Sequence, residues 1–164
     1  MSKRGEVMDV KYKLIPKGDN NPARRITPDT IVIHYSGNSG VSADRLALCL
    51  FNNNANNVSA NYCVDDKDII CTIQPGFMSY GVTGHNPHII NIEVCYNDPA
   101  GRFELDTLAN LRRIVKYLMR EFRIPAEKVV RHFDLTGKKC PWYYVDNPRE
   151  WARLHKVITK GVIL

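Results

Sequence analysis

Hydrophobic residues in the first two thirds of the chain fall in short runs, a pattern that predicts β-strands. Residues 30–33 form a β-branched run bounded by proline and by a Ser-Gly pair, which is typical of a strand buried on both faces. Two shorter runs, 62–64 and 69–73, flank four charged residues and indicate a hairpin. Residues 89–95 form another β-rich run. Together these runs predict a central sheet.

Apolar residues spaced three and four apart predict three helices around that sheet. The first helix begins after Ser42 and ends in the asparagine-rich stretch 52–57. The second covers residues 104–123, and the third begins after Asn147, which is followed by proline. The predicted buried face of the first helix is Leu46, Cys49, Leu50 and Phe51. That of the third is Trp151, Leu154 and Ile158.

The order of these elements predicts one α/β domain with a central mixed β-sheet flanked by helices. A chain of 164 residues is long enough to bury about 70% of its unfolded surface in a single core. Residues 1–29 mix lysine, proline, asparagine and glycine, and we interpret them as an N-terminal arm packed on the domain. The domain itself would cover residues 30–164. The sequence contains neither an internal repeat nor a low-complexity linker.

Composition excludes some classes of protein and leaves others open. Hydrophobic residues make up 44% of the chain and charged residues 24%, which is ordinary for a globular domain, and no apolar run could span a membrane. The net charge of +6 favours an anionic partner such as nucleic acid, anionic lipid or bacterial cell wall. The basic residues form scattered pairs, so charge alone does not choose among these polymers.

The first residues and the cysteines indicate where the chain folds. Basic residues near the start are not followed by an apolar stretch, so we expect synthesis in the cytoplasm without a signal peptide. In a reducing compartment, five cysteines are better interpreted as thiols than as a disulfide framework. They are Cys49, Cys63, Cys71, Cys95 and Cys140.

Three residues have the chemistry of a metal site. His34 lies at the end of the first buried strand, and His132 and Cys140 lie eight residues apart near the end of the chain. Catalytic zinc is usually held by three such ligands, with a fourth position left for water or substrate. Taken singly, each has a commoner interpretation, as a histidine bonded to a backbone carbonyl or as a small buried thiol.

Three segments around these residues carry a family resemblance. They are the strand ending at His34, residues 91–97 (Asn-Ile-Glu-Val-Cys-Tyr-Asn) and residues 129–141 (Val-Val-Arg-His-Phe-Asp-Leu-Thr-Gly-Lys-Lys-Cys-Pro). In this order they resemble the zinc-dependent N-acetylmuramoyl-L-alanine amidases, which include T7 phage lysozyme and are related to the peptidoglycan recognition proteins. The resemblance implies that fold, and it implies that His34, His132 and Cys140 bind one Zn²⁺ ion.

The same resemblance assigns two catalytic residues. From strand alternation alone, Glu93 would share a half-exposed face with Asn91 and could simply point outward. The resemblance instead implies that Glu93 transfers protons, as the glutamate of an Ile-Gly-Ile-Glu motif. It also implies that Lys138 stabilises the oxyanion, in a Thr-Gly-Lys-x-Cys-Pro pattern. Lys139 would then be its solvent-facing neighbour.

The sequence departs from the family pattern at several positions. Asn91 stands where the family usually has glycine, and Asn61 stands where a histidine is common. Ala60 aligns with the catalytic tyrosine of the T7 subgroup, and Tyr62 is predicted to be a core aromatic. Glu93 would therefore act as the base alone.

The resemblance implies hydrolysis of the amide between N-acetylmuramic acid and L-alanine in bacterial peptidoglycan, by a phage or prophage endolysin. We expect a monomer that acts on the cell wall after release, with no nucleic-acid partner. One alternative is a non-catalytic muropeptide-binding protein, although such receptors typically lack the thiolate that Cys140 supplies. A nucleic-acid-binding protein with structural zinc is disfavoured because a fourth ligand is missing.

Overall fold

A computed structural model of the chain describes residues 9–52 and 57–160. The start of the predicted arm, the middle of the stretch 52–57 and the last four residues lie outside the described residues. The side chain of Phe51, which we predicted to be buried, also lies outside them.

The described residues contain the predicted mixed sheet, and this sheet has six strands. Its spatial order is β1-β4-β3-β5-β2-β6, and every neighbouring pair is parallel except the β3–β4 hairpin. The short β1 comes from the segment interpreted as an arm, and it extends the sheet beside β4. The strands are β1 (Lys11–Tyr12), β2 (Thr30–Tyr35), β3 (Tyr62–Val64), β4 (Ile69–Cys71), β5 (Ile89–Val94) and β6 (Val129–Arg131).

Five α-helices and two short 3₁₀ helices surround this sheet in the described residues. The three longest correspond to the helices predicted from periodicity. The α-helices are α1 (Ala43–Asn52), α2 (Leu105–Glu121), α3 (His132–Thr136), α4 (Trp142–Asp146) and α5 (Pro148–Lys160). The 3₁₀ helices are Asn86–His88 and Ala126–Lys128.

The buried face of α1 differs from the prediction. Ala43, Ala47 and Leu50 are buried, whereas Cys49 is exposed and Leu46 is only partly covered. The spacing is still three and four, but it begins at two alanines whose small side chains suit close packing of α1 against the sheet. The prediction chose the larger apolar side chains and therefore placed the buried face about one residue away from its true position. The predicted Ser42 cap is confirmed, since its hydroxyl accepts a hydrogen bond from the backbone N–H of Arg45.

The two faces of the sheet carry different side chains. One face presents a continuous aliphatic layer that packs with α2 and α5, including Ile31, Ile33, Ile90 and Ile92. The other face carries α1 near β3 and β4. Its β2–β5 part combines a small apolar cluster of Val32, Val82 and Ile89 with the polar side chains of His34, Asn91 and Glu93. There Asn91 is completely buried, so this face of β5 does not point to solvent.

One prediction drawn from composition is confirmed. All five cysteines are free thiols, and Cys71 lies opposite Tyr62 in the hairpin rather than opposite Cys63. Within the described ranges, no helix combines the length and the hydrophobicity needed to cross a membrane.

Candidate metal centre

The site lies at one edge of the sheet, where three parallel strands end together. In the order β5-β2-β6, the carboxyl ends of these strands point the same way, and such edges form crevices in α/β folds. His34 is next to last in β2 and is aligned with Glu93 of β5. His132 follows β6 directly as the first residue of α3. The segment between α3 and α4 then brings Cys140 back to the same edge.

The three predicted ligands meet there, although His34 and His132 are 98 positions apart. Their ligand atoms all lie within 4.8 Å of one another, and all three residues are buried. The His34 Nδ1 atom is 3.2 Å from His132 Nδ1 and 3.7 Å from Cys140 Sγ. Ligands of one tetrahedral zinc ion would be separated by about 3.3 Å (nitrogen to nitrogen) and about 3.6 Å (nitrogen to sulfur). The donor set therefore suits zinc chemically, and the two separations that involve His34 match those of a tetrahedral site.

Burial controls the protonation of these groups in the metal-free protein. It lowers the pKa of His34 to about 3 and also lowers the pKa of His132, so both imidazoles are neutral near pH 7. Burial raises the pKa of the Cys140 thiol to about 12, and the charge of Glu93 acts in the same direction. The thiol is therefore protonated, and binding a cation there must release its proton.

A hydrogen-bond network around Arg131 holds the segment that carries two of the predicted ligands. The guanidinium of Arg131 donates hydrogen bonds to both carboxylate oxygens of Asp134 and to the backbone carbonyl of Tyr144. The backbone N–H of Phe133 donates to the carbonyl of Cys140. These contacts tie β6, α3 and α4 together on either side of the ligands.

Both predicted catalytic residues face the same groove as the ligands. This site groove has a volume of about 860 Å³. Glu93 is half-buried in it, and burial raises the pKa of its carboxyl group to about 8, while the positive charge of Lys138 acts in the opposite direction. Lys138 lines the groove, whereas the neighbouring Lys139 pairs with Asp146 at 2.8 Å on the surface. The prediction that Lys139 faces solvent is thus confirmed, while the catalytic role of Lys138 stays a prediction.

Sequence reasoning missed most of the groove wall. Several residues from loops and from the ends of elements line it without any spacing pattern that could have indicated them: Tyr35, Asn57, Val58, Tyr80, Val82, Thr83, Asn86 and Thr136. Reasoning also missed that Asn91, noted only as a departure from the family, accepts a hydrogen bond from His34. Tyr62 is buried in the core, as predicted.

Comparisons with known proteins agree with this geometry. Residues 23–143 match the family model described as N-acetylmuramoyl-L-alanine amidase. The chain is 32% identical over 148 residues to the N-acetylmuramoyl-L-alanine amidase CwlH of Bacillus subtilis (strain 168), an alignment that covers 86% of this chain and 58% of CwlH. The chain spans between 48% and 61% of the length of three such relatives.

Solved structures of similar proteins share the fold. PlyL superposes with a TM-score of 0.84 at 27% identity, covering 95% of this chain and all of PlyL (100%). A mutant endolysin from Bacillus subtilis superposes with a TM-score of 0.80 at 28% identity, covering 93% of this chain and 99% of that protein.

Proposed function

The chain belongs to the N-acetylmuramoyl-L-alanine amidase family, and we propose that it hydrolyses the amide bond between N-acetylmuramic acid and L-alanine in bacterial peptidoglycan, with a zinc ion held by His34, His132 and Cys140. The observation that carries this proposal is the set of three buried ligand atoms within 4.8 Å, in the groove that Glu93 and Lys138 also line. A three-ligand set leaves a coordination position open, as hydrolytic sites require.

The proposed cofactor addresses the two obstacles to amide hydrolysis. When bound, zinc lowers the pKa of water and polarises a carbonyl group. His34 and His132 would contribute neutral imidazoles, and Cys140 would contribute a thiolate. Only one of the three ligands therefore reduces the positive charge of the ion.

Glu93 is the proposed general base and acid. Its half-buried carboxyl group has an affinity for protons close to that needed near neutral pH, because its pKa is raised to about 8. Glu93 takes a proton from the attacking water and gives it to the nitrogen of the leaving L-alanine. The same residue can serve both steps because it is regenerated when it releases the proton.

Lys138 is the proposed stabiliser of negative charge on the carbonyl oxygen. Lys138 lines the groove with the predicted ligands, and a positioned cation stabilises an oxyanion more than it stabilises the neutral carbonyl. Lys139 contributes nothing to this step because its ammonium is paired with Asp146 outside the groove.

We place the activity in the lysis of the bacterial cell wall, as an endolysin acting after release from the cytoplasm. Likeness to an endolysin of Bacillus subtilis and to the amidase CwlH supports this setting. The net charge of +6 favours approach to an anionic wall, with a dependence on salt.

The test is digestion of purified peptidoglycan, with new amino termini and new reducing sugar ends counted separately. The protein is assayed with and without a chelator, and with Cys140→Ser. Cys49→Ser is the matched control, because Cys49 is an exposed thiol on α1. We expect amino termini without reducing ends, with the release abolished by the chelator and by Cys140→Ser but not by Cys49→Ser.

Other outcomes would contradict the proposal in distinct ways. Release of reducing ends would identify a glycosidase. Binding to peptidoglycan with zinc retained and no new ends would identify a non-catalytic muropeptide-binding protein.

A further inference from the structure

A buried hydrogen bond holds the metal ligand His34 on the side away from the cluster. Its Nε2 atom lies 2.9 Å from Oδ1 of Asn91, while its Nδ1 atom faces His132 and Cys140. An imidazole that binds a metal through Nδ1 must carry its proton on Nε2, and the partner of that proton selects this tautomer.

Asn91 is itself the first member of a buried chain of polar side chains. Its Nδ2 group donates to the hydroxyl of Ser79 at 2.9 Å, and that hydroxyl donates to Oδ1 of Asn61 at 2.7 Å. The backbone N–H of Asn91 also donates to Asn61 Oδ1, at 2.9 Å. Asn61, Ser79 and Asn91 are all completely buried. We call these three residues the polar triad.

The direction of every hydrogen bond in the polar triad follows from the backbone at its far end. The Nδ2 group of Asn61 lies within hydrogen-bonding distance of the carbonyls of Ile73, Gln74 and Phe77, which can only accept. Asn61 Oδ1 faces the backbone N–H of Asn91, which can only donate. The Asn61 amide therefore cannot be reversed, and its oxygen must accept the hydroxyl proton of Ser79.

The same logic passes from Ser79 to the ligand. Because the Ser79 proton is used on Asn61, the hydroxyl oxygen accepts from Asn91 Nδ2, and this orients Asn91 Oδ1 toward His34. An amide oxygen can only accept, so the His34 proton must be on Nε2. The lone pair of Nδ1 is then directed at the cluster.

Gly81 provides the space that Asn91 requires. A Cβ atom at Gly81 would lie 2.3 Å from both Cγ and Oδ1 of Asn91, which is too close for either position to remain unchanged. Asn91 and Asn61 are also two positions at which the sequence departs from the family motif. The structure therefore joins these departures, with Ser79 and Gly81, into one packed unit.

We propose that Asn61, Ser79 and Asn91 are positioning residues that fix His34 in the Nε2–H tautomer, with Nδ1 ready to bind the ion before the ion arrives. The identity of that ion as zinc rests on the proposed function. The tautomer itself does not, because the hydrogen bonds that impose it are present in the protein without any ion.

The direct test is the tautomer of His34 in the metal-free wild-type protein at pH 7, measured from imidazole ¹⁵N shifts and long-range ¹H–¹⁵N correlations. We expect a protonated, pyrrole-like Nε2 and a pyridine-like Nδ1. A proton on Nδ1, or an equal mixture of tautomers, would overturn the proposal. No variant is needed, so a folding defect cannot obscure the result.

Two substitutions at Asn91 then test the consequence for metal affinity. Asn91→Leu keeps the size of the side chain but removes the acceptor, and we expect zinc affinity to fall about 10–100-fold, as measured by competition with a chromophoric chelator. Asn91→Asp retains an oxygen that accepts from His34 Nε2, and we expect it to preserve the tautomer and most of the affinity. Equal affinity in the Leu variant and the wild type would overturn the proposal.

A pair of serines separates positioning from packing. Ser79→Ala frees the Asn91 amide to reverse, so the Nδ1–H tautomer should appear and zinc affinity should fall. Ser59→Ala is the matched control, since Ser59 is also buried and its hydroxyl accepts a hydrogen bond from the backbone N–H of Tyr80, next to Ser79, without joining the polar triad. We expect it to leave the His34 tautomer unchanged. If both variants shift the tautomer alike, the effect belongs to loop packing and the proposal is wrong.

These outcomes are independent of catalysis. A wild-type protein with the expected tautomer but no amidase activity would refute the proposed function and leave this inference standing. An active amidase whose His34 carries its proton on Nδ1 in the metal-free state would refute this inference and leave the proposed function standing.

Discussion

Three consecutive residues of β5 show how differently the two faces of one strand are used. Ile92 points into the aliphatic layer beneath α2 and α5 and is completely buried. Asn91 and Glu93 point to the opposite face, where Asn91 contacts the proposed ligand His34 and Glu93 lines the site groove. One face therefore stabilises the fold, and the other brings together groups whose burial is costly unless they are bonded or have a task.

The contrast shows where the free energy of the fold resides. Burial of one isoleucine side chain stabilises the folded state by about 1.5–3 kcal/mol. A half-buried carboxyl group such as Glu93 has the opposite effect when it is ionised, and its raised pKa reflects that cost. Substitutions on the two faces should consequently separate stability from chemistry.

The largest expected effect is on catalysis, from Glu93→Gln. The amide keeps the size of the side chain but cannot accept the proton of the attacking water, so kcat should fall about 10²–10⁴-fold. Zinc content should stay at one ion per chain, because Glu93 is not a proposed ligand. Amino-terminus release from peptidoglycan measures the rate, and activity near that of the wild type would remove Glu93 from the mechanism.

Next in size is the loss of stability from Ile92→Ala on the other face. The cavity left in the aliphatic layer should lower the free energy of unfolding by about 2–5 kcal/mol, as measured by urea denaturation. Activity per folded molecule should be retained, because Ile92 does not reach the groove. The control is Leu105→Ala, whose side chain is 73% exposed and whose removal should change stability by less than about 0.5 kcal/mol.

The adjacent lysines sharpen the comparison within the site. Lys138→Met should lower kcat about 10²-fold with little effect on stability, since the oxyanion loses its cation. Lys139→Met should leave kcat unchanged, because Lys139 pairs with Asp146 on the surface and does not line the groove. Its effect on stability should also be small, because a surface ion pair contributes only about 0–1 kcal/mol. Equal loss in both variants would show that general positive charge, rather than a placed ammonium, assists the reaction.

The smallest expected effect is a change in the pH dependence of stability. The pKa of Glu93 rises from 4.5 to about 8 on folding, so the folded state binds more protons than the unfolded state between these values. Stability is therefore lost as pH rises through this window, and Glu93→Gln lacks that loss. In metal-free protein, the free energy of unfolding of Glu93→Gln minus that of the wild type should be larger at pH 8 than at pH 4, by on the order of 1 kcal/mol. Thermal unfolding measures the gain, with the exposed Glu121→Gln as control.

The periodicity of the sequence was sufficient for most of the fold. Strands β2, β3, β4 and β5 and helices α2 and α5 were predictable because large apolar side chains repeat at the spacing of each element. The buried face of helix α1 was predicted wrongly because Ala43 and Ala47 form part of it, and their small side chains carry little hydrophobic signal. The two-residue β1 is too short for any periodicity.

The site was predictable only where a motif names the residue. No local pattern can place His34 beside His132, because that contact depends on the order of parallel strands, and the family resemblance supplied it. The polar triad could not be predicted from the sequence for the same reason. Asn61, Ser79 and Asn91 lie on three separate segments, and their hydrogen bonds appear only when those segments pack together.

The central claim is that His34, His132 and Cys140 bind one zinc ion. The most direct measurement is zinc K-edge X-ray absorption on the purified protein, combined with metal analysis. We expect one zinc per chain, with one sulfur at about 2.3 Å and nitrogen or oxygen ligands at about 2.0–2.1 Å, and loss of the sulfur shell in Cys140→Ser. A protein that retains no zinc, or a zinc shell that lacks sulfur in the wild type, would contradict the account.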